Sequence, residues 1–185
     1  MEMGSNIELM ILDWIQNIRT PVGDAVMCFI TKLGNAGIIW IVLAALLLLI
    51  PKTRKHGLVM MAALCIDLVV CNGILKNLVA RIRPCDVNTQ IQLLIARPND
   101  FSFPSGHTAA SFAAVAALYC SGERKLWKPA LLLACLIAFS RLYLYVHYPT
   151  DILGGILVGL AAGYAGNAII QQGINWKKKH HDQKK

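Results

Sequence analysis

The sequence predicts an all-α fold, a polytopic transmembrane helical bundle of five or six spanning helices with amphipathic helices at its N-terminus. Three observations carry that reading. Of 185 residues, 56% are hydrophobic and 15% charged, whereas soluble domains carry about 25% charged residues. The apolar residues gather into five runs that reach or approach the ~20 residues a helix needs to cross a bilayer core. Between the runs, basic residues fall in short clusters, as they do at membrane-facing turns.

The first stretches, 7–19 and 22–32, mix apolar and charged positions around a break at Pro21. Each is too short to span alone, so both read as amphipathic interfacial helices; a single bent span is the alternative and would make six. The runs 33–50, 57–79, 104–120, 129–145 and 152–170 follow as spans, the third and fourth of them short. The chain therefore divides into an interfacial segment (1–32), a transmembrane bundle (33–172) and a basic tail (173–185). The opening MEMGSNIELM has early acids and neither a basic leader nor a small-residue cleavage site, unlike a removable signal peptide.

Lys52, Arg54 and Lys55 follow the first span, Arg124, Lys125 and Lys128 the third, and Lys177, Lys178, Lys179, Lys184 and Lys185 the fifth. Five alternating spans put these clusters on one side, which the positive-inside rule makes cytoplasmic. The net charge of +8 thus suits lipid headgroups, and no nucleic-acid partner is expected. Arg81, Arg83 and Arg97 fall on the other side, against the rule, and need a reason. None of the six cysteines has CxxC spacing and most lie in apolar runs, so they read as packed thiols rather than disulfides or a zinc site.

The same alternation gathers the unusual polar residues at the outer surface. The second span ends there with Lys76, Arg81 and Arg83, the third begins with Ser105, Gly106 and His107, the fourth ends with Arg141, and the fifth begins beside His147 and Asp151. Lys76 and Arg83 are seven apart; on a helix that persists to Pro84 they share a face roughly 10 Å apart. Paired cations near a membrane call for an anion, although snorkelling accounts for either alone. In FSFPSGHT, at 101–108, Pro and Ser fit a helix start and Gly106 lets a ligand approach the backbone. The free N–H groups of such a start seat phosphate, though a lone Ser-Gly-His start is otherwise an ordinary cap. His147 and Asp151, one turn apart, allow the carboxylate to fix the imidazole tautomer; an ordinary capping bond is the plainer use.

Together Lys76-x6-Arg83-Pro84, Pro104-Ser105-Gly106-His107 and Ser140-Arg141-x5-His147-x3-Asp151 resemble the three signature motifs of the type 2 phosphatidic acid phosphatase superfamily. The resemblance implies a helical-bundle phosphatase with its site at the extracytoplasmic surface and, in the family core, six membrane helices. It implies that His147 is the nucleophile, held by Asp151, and gives a phosphohistidine. It implies that His107 protonates the leaving oxygen and later activates water, while Lys76, Arg83, Arg141, Ser105 and Gly106 hold the phosphoryl oxygens. Three fixed cations can stabilise those oxygens where a metal often does, so no metal or other cofactor is expected. The likeness to small bacterial members implies a multi-pass protein of the bacterial plasma membrane acting on a lipid phosphate or diphosphate. Undecaprenyl diphosphate is favoured; phosphatidate, diacylglycerol diphosphate and phosphatidylglycerophosphate follow. Vanadate-dependent haloperoxidases share the motifs, but the spans argue against that chemistry. A non-catalytic membrane protein that binds or transports anionic lipid is the alternative from another class.

Other residues read more plainly. Asp67 and Asn72, inside the second span, suit interhelical hydrogen bonds better than a proton path. Trp127 and Trp176 suit interfacial anchors, 161–166 close helix packing, and 91–96 either a cover over the site or a packed loop. Asp86 and Asp100 on the outer loop have no assigned role. The tail histidines are a weak metal signal in a lipid-facing end.

Overall fold

The structure, a computed structural model, describes residues 2–182. Its helices are α1 (Glu2–Asn17), α2 (Pro21–Leu33), α3 (Ile38–Leu49), α4 (Arg54–Asp67), α5 (Lys76–Val79), α6 (Pro84–Val87), α7 (Gly106–Ser121), α8 (Trp127–Tyr143) and α9 (Pro149–Asp182). A 3-10 turn (Asn35–Gly37) joins α2 to α3, and a π-helical segment (Leu68–Leu75) joins α4 to α5. The described residues contain no strand, in keeping with the all-α expectation.

α7 is the axis of the bundle, packed against α4, α8 and α9. Small residues make this possible. Gly155, Gly159 and Gly163 recur once per turn along one face of α9 and lie against the start of α7, Ala109 and Ala116. A Cβ on Gly155 would stand 2.8 Å from the Ser105 carbonyl oxygen, and one on Gly159 would collide with that of Ala109. Gly166 makes a similar approach to Ala63 of α4, so the close-packing face expected at 161–166 continues back to residue 155. Trp40 of α3, almost wholly buried, donates its indole N–H to the Ser111 hydroxyl of α7 at 3.0 Å.

Among the described residues two stretches are long and apolar enough to cross a membrane, Arg54–Val87 and Pro149–Lys177; Pro21–Leu33 with Asn35–Leu49 makes a third if counted as one span bent by 45°. α7 and α8 have 16 and 17 residues, about 24–26 Å at the helical rise, and fall short of the ~30 Å hydrocarbon core. The bend also sits elsewhere than the sequence predicts. Residues 18–20 separate α1 from α2, and it is α2 and α3 that form the bent pair, turned where Ala36 and Gly37 take positive φ. Residues 22–32 pack as α2 against α8.

The helix carrying Lys76 ends at Val79, where Ala80 turns left-handed with φ 47°. Arg83 is extended before Pro84 (φ −74°, ψ 152°), as a residue preceding proline prefers. Lys76 and Arg83 therefore do not share a helix face, as their spacing predicts, because the helix stops before the proline is reached. At the far end, α9 runs unbroken to Asp182, so the basic tail begins as its continuation. Lys184 and Lys185 lie outside the described residues.

Candidate active site

Four helix ends meet at one end of the bundle: the C-terminal ends of α5 and α8 and the N-terminal ends of α7 and α9. A cavity of about 870 Å³ lies there, and Lys76, Arg83, Gly106, His107, Arg141 and His147 all line it. Ser105 and Asp151, the other expected site residues, are fully buried behind that wall. The Ser105 amide donates to the Asp151 carbonyl at 3.1 Å and its hydroxyl accepts from Thr108 at 3.0 Å, which ties the start of α7 to that of α9.

His147 sits in the turn before α9, 1% exposed. Its Nε2 lies 3.2 Å from Nη1 of Arg83. A guanidinium only donates, so Nε2 must carry the lone pair and Nδ1 the proton. Nδ1 faces Asp151 Oδ2 at 3.4 Å, and the Ser102 hydroxyl stands 3.5 Å away. Burial pushes the imidazole down to about 3 against the pull of Asp151, and the charge of Arg83 adds to the fall. The ring is therefore neutral near pH 7.

Asp151 has no exposed surface and four donors. Oδ1 accepts from Arg81 at 2.7 Å; Oδ2 accepts from Ser102 at 2.5 Å and from the Tyr148 amide at 2.8 Å, and faces His147. Arg81 stacks over Tyr148 and also pairs with Glu8 of α1 at 2.5 Å. Glu8 in turn accepts from the Thr150 amide at 2.9 Å and from its hydroxyl at 2.6 Å. Arg97 pairs with Asp86 at 2.8 Å. The arginines that break the positive-inside pattern thus have specific partners, one of them on the helix farthest away in sequence.

Lys76, Arg83 and Arg141 are each at least nine-tenths buried. Asp100 brings the first two together: its carboxylate bonds Lys76 through Oδ2 and Arg83 Nη2 through Oδ1 at 2.6 Å. Burial raises the Asp100 carboxyl, but the two cations outweigh it and hold the group at about 2. Arg83 further donates to the carbonyls of Asp100 and Val146, each at 2.7 Å. Arg141 donates from Nη1 to Thr31 of α2 at 2.5 Å, while its buried Nε has no hydrogen-bond partner among the described residues.

His107 stands in the first turn of α7 and lines the same cavity. Its Nε2 meets Asn35 Oδ1 at 2.9 Å, and since an amide oxygen only accepts, Nε2 carries a proton. Asn72 crowds Gly106, where a Cβ would come within 2.9 Å of the amide oxygen. Among the described residues Asp67 and Asn72 line the cavity rather than bridging helices, and Asp67 Oδ1 has no hydrogen-bond partner there. Residues 94–100 of the outer loop form part of the same wall, while Ile91, Leu93 and Ile95 pack on the cluster around Tyr145. No group of three or more His, Cys, Asp or Glu side chains among the described residues is placed to hold a metal ion.

Sequence reasoning gave no role to Ser102, Glu8 or Asn35, left Asp100 unassigned, and noted Arg81 only as an outer-surface cation in need of a reason. Ser102 and Arg81 lay within or beside quoted motifs. Glu8 and Asn35 carry no local signal at all.

Residues 53–174 match the family model described as PAP2 superfamily. A Sulfolobus acidocaldarius protein named undecaprenyl-diphosphatase is 32% identical over 157 residues, covering 85% of this chain and 74% of the relative. The Bacillus subtilis protein named undecaprenyl-diphosphatase BcrC is 32% identical over 151 residues, covering 79% of this chain and 74% of the relative. The crystal structure of a transmembrane PAP2-type phosphatidylglycerolphosphate phosphatase from Bacillus subtilis superposes with a TM-score of 0.76 at 27% identity, covering 93% of this chain and 88% of that one. With two thirds of its length matched and the motif residues gathered around one cavity, the chain belongs to the PAP2 superfamily.

Proposed function

We propose that this chain is an integral-membrane phosphatase that hydrolyses the terminal phosphate of a lipid phosphate or diphosphate. Undecaprenyl diphosphate is the favoured substrate, supported by the two relatives named for that activity. The observation that carries the reading is a neutral, carboxylate-backed histidine on the same cavity wall as a second histidine and three buried cations. A carrier of anionic lipid needs the cations but has no use for a lone pair held at His147 Nε2.

In the first step Nε2 attacks phosphorus. An N–P bond forms, the P–O bond to the leaving group breaks, and its electron pair departs on that oxygen. His107, entering as the imidazolium, gives the oxygen a proton from Nε2. Asp151 stabilises the charge that gathers on His147 through Nδ1–H, while Lys76, Arg83, Arg141 and the Gly106 end of α7 hold the equatorial oxygens. Ser105 acts from behind, aligning the start of α7. In the second step His107 takes a proton from water as the water oxygen attacks phosphorus. The N–P bond breaks, its pair returns to Nε2, and orthophosphate leaves.

We infer five membrane passes: α2 with α3 as one bent pass, α4 through α5, then α7, α8 and α9, with the site on the extracytoplasmic side of a bacterial membrane. The basic turns and α9 tail at the other end of the bundle support that direction. The groups named in these two steps belong to 33–172, and Thr31 and Glu8 of the first 32 residues support them from outside.

Phosphate release by purified protein in detergent and EDTA tests the reading. His147→Ala is expected to abolish release, and His107→Ala to slow it by about 10²–10⁴-fold. Undiminished turnover in His147→Ala removes the nucleophile assignment, and a strict metal requirement removes the cation-only mechanism. Ranking undecaprenyl diphosphate, phosphatidate, diacylglycerol diphosphate and phosphatidylglycerophosphate by kcat/KM decides the substrate.

A further inference from the structure

Five cations line the cavity: Lys32, Lys76, Arg83, Arg97 and Arg141. Four of them have partners, Lys76 and Arg83 in Asp100, Arg97 in Asp86 and Arg141 in Thr31. The Lys32 ammonium alone has neither an ion pair nor a hydrogen bond among the described residues. It sits in the last turn of α2, between two contacts with the site. Thr31, the residue before it, holds Arg141. Gly34, two residues after it, lies so close to the His107 ring that a Cβ there would reach Cδ2 at 2.8 Å, and Asn35 bonds His107 Nε2.

In-line transfer sends the leaving group away from His147 and towards the group that protonates it. On the reading that His147 attacks and His107 is the acid, the atoms beyond the leaving oxygen lie on the α2 side of the cavity. In a phosphomonoester lipid those atoms are uncharged. In a diphosphate they are a second phosphate, which gathers charge as the bridging P–O bond breaks. An exposed lysine with three rotatable donors and no prior commitment suits that charge.

We propose that Lys32 is the subsite for the leaving phosphate of a lipid diphosphate, and that it makes the cavity select diphosphates over monophosphates of the same lipid. Lys32 neutralises the departing phosphate while Lys76, Arg83 and Arg141 hold the transferred one.

The test compares undecaprenyl diphosphate with undecaprenyl phosphate as substrates of purified full-length protein, wild type against K32Q and K32R. Loss of one charged hydrogen bond is expected to lower kcat/KM for the diphosphate about tenfold or more in K32Q. The monophosphate is expected to change less than about twofold, and K32R to retain the preference. Equal loss on both substrates, or none on either, overturns the proposal and returns Lys32 to holding membrane headgroups. A second readout needs no turnover: the melting shift produced by inorganic diphosphate beyond that of orthophosphate should vanish in K32Q. If it persists, the subsite is rejected. Should wild type hydrolyse neither lipid, the phosphatase reading falls, and the melting comparison alone then decides whether Lys32 binds a second phosphate.

Discussion

Asp151 spends its two oxygens on different tasks: Oδ1 is anchored by Arg81, while Oδ2 faces His147 together with Ser102. Ser102→Ala leaves the carboxylate charged but free to tilt. It is expected to cut kcat about tenfold with little change in KM, measured on any lipid phosphate that the wild type hydrolyses. Asp100 presents the reverse case, since it occupies donors that a phosphoryl group needs. Asp100→Asn is expected to tighten inhibition by orthophosphate about tenfold, because the entering anion no longer competes with a resident carboxylate. The motif residues were legible because lysine, arginine and histidine in apolar surroundings are costly without a purpose. Asp100 was not, because an acid on an outer loop needs none.

His147 also links the site to pH. Its folded value of about 3 lies below the ordinary 6.5, so between those values the unfolded chain binds more protons than the folded one. The contribution is whole above about pH 6.5 and is lost as pH falls towards 3. Asp100, lowered from 3.8 to about 2, adds a further loss only below about pH 4. Melting temperature in detergent is expected to decline from pH 6.5 to 4, and His147→Asn to flatten that decline.

At the scale of elements, helix identity followed from apolar runs, but helix ends followed from local backbone chemistry. Thr20 caps α2 and Pro21 opens it, which the sequence signals clearly. Ala80 with φ 47° carries no such signal, and it is what parts Lys76 from Arg83 along the helix. The bend between α2 and α3 was hidden in the same way, although it brings Asn35 to His107. The glycine face of α9 is more exacting, since Gly159 meets the backbone of α7 directly. Gly159→Leu is expected to cost about 3 kcal/mol or more, because backbone cannot yield as a side chain can. Loss of the folded peak in size-exclusion chromatography, or a lowered melting point, is the measurement.

Across the whole molecule, the basic turns and the cavity sit at opposite ends. The turns after α3 and α7 carry Lys52, Arg54, Arg124 and Lys125, while the cavity opens at the other end. In a cysteine-free background, Lys125→Cys is expected to react with an impermeant thiol reagent only after cells are opened, and Asn99→Cys in intact cells. The reverse pattern inverts the proposed orientation. This general layout was readable from alternation. The number of passes was harder to read, because 7–19 and 22–32 around Pro21 read either as two interfacial helices or as one bent span.

The link from Glu8 to Thr150 spans 142 positions. On the proposed mechanism, a chain still emerging from the ribosome already holds Lys76, Arg83, His107, Arg141 and His147 before α9 is made, yet the carboxylate beside His147 belongs to that final helix. On that mechanism reactivity waits until the first and last helices have found each other, and a partly inserted chain is expected to be inert towards lipid phosphates.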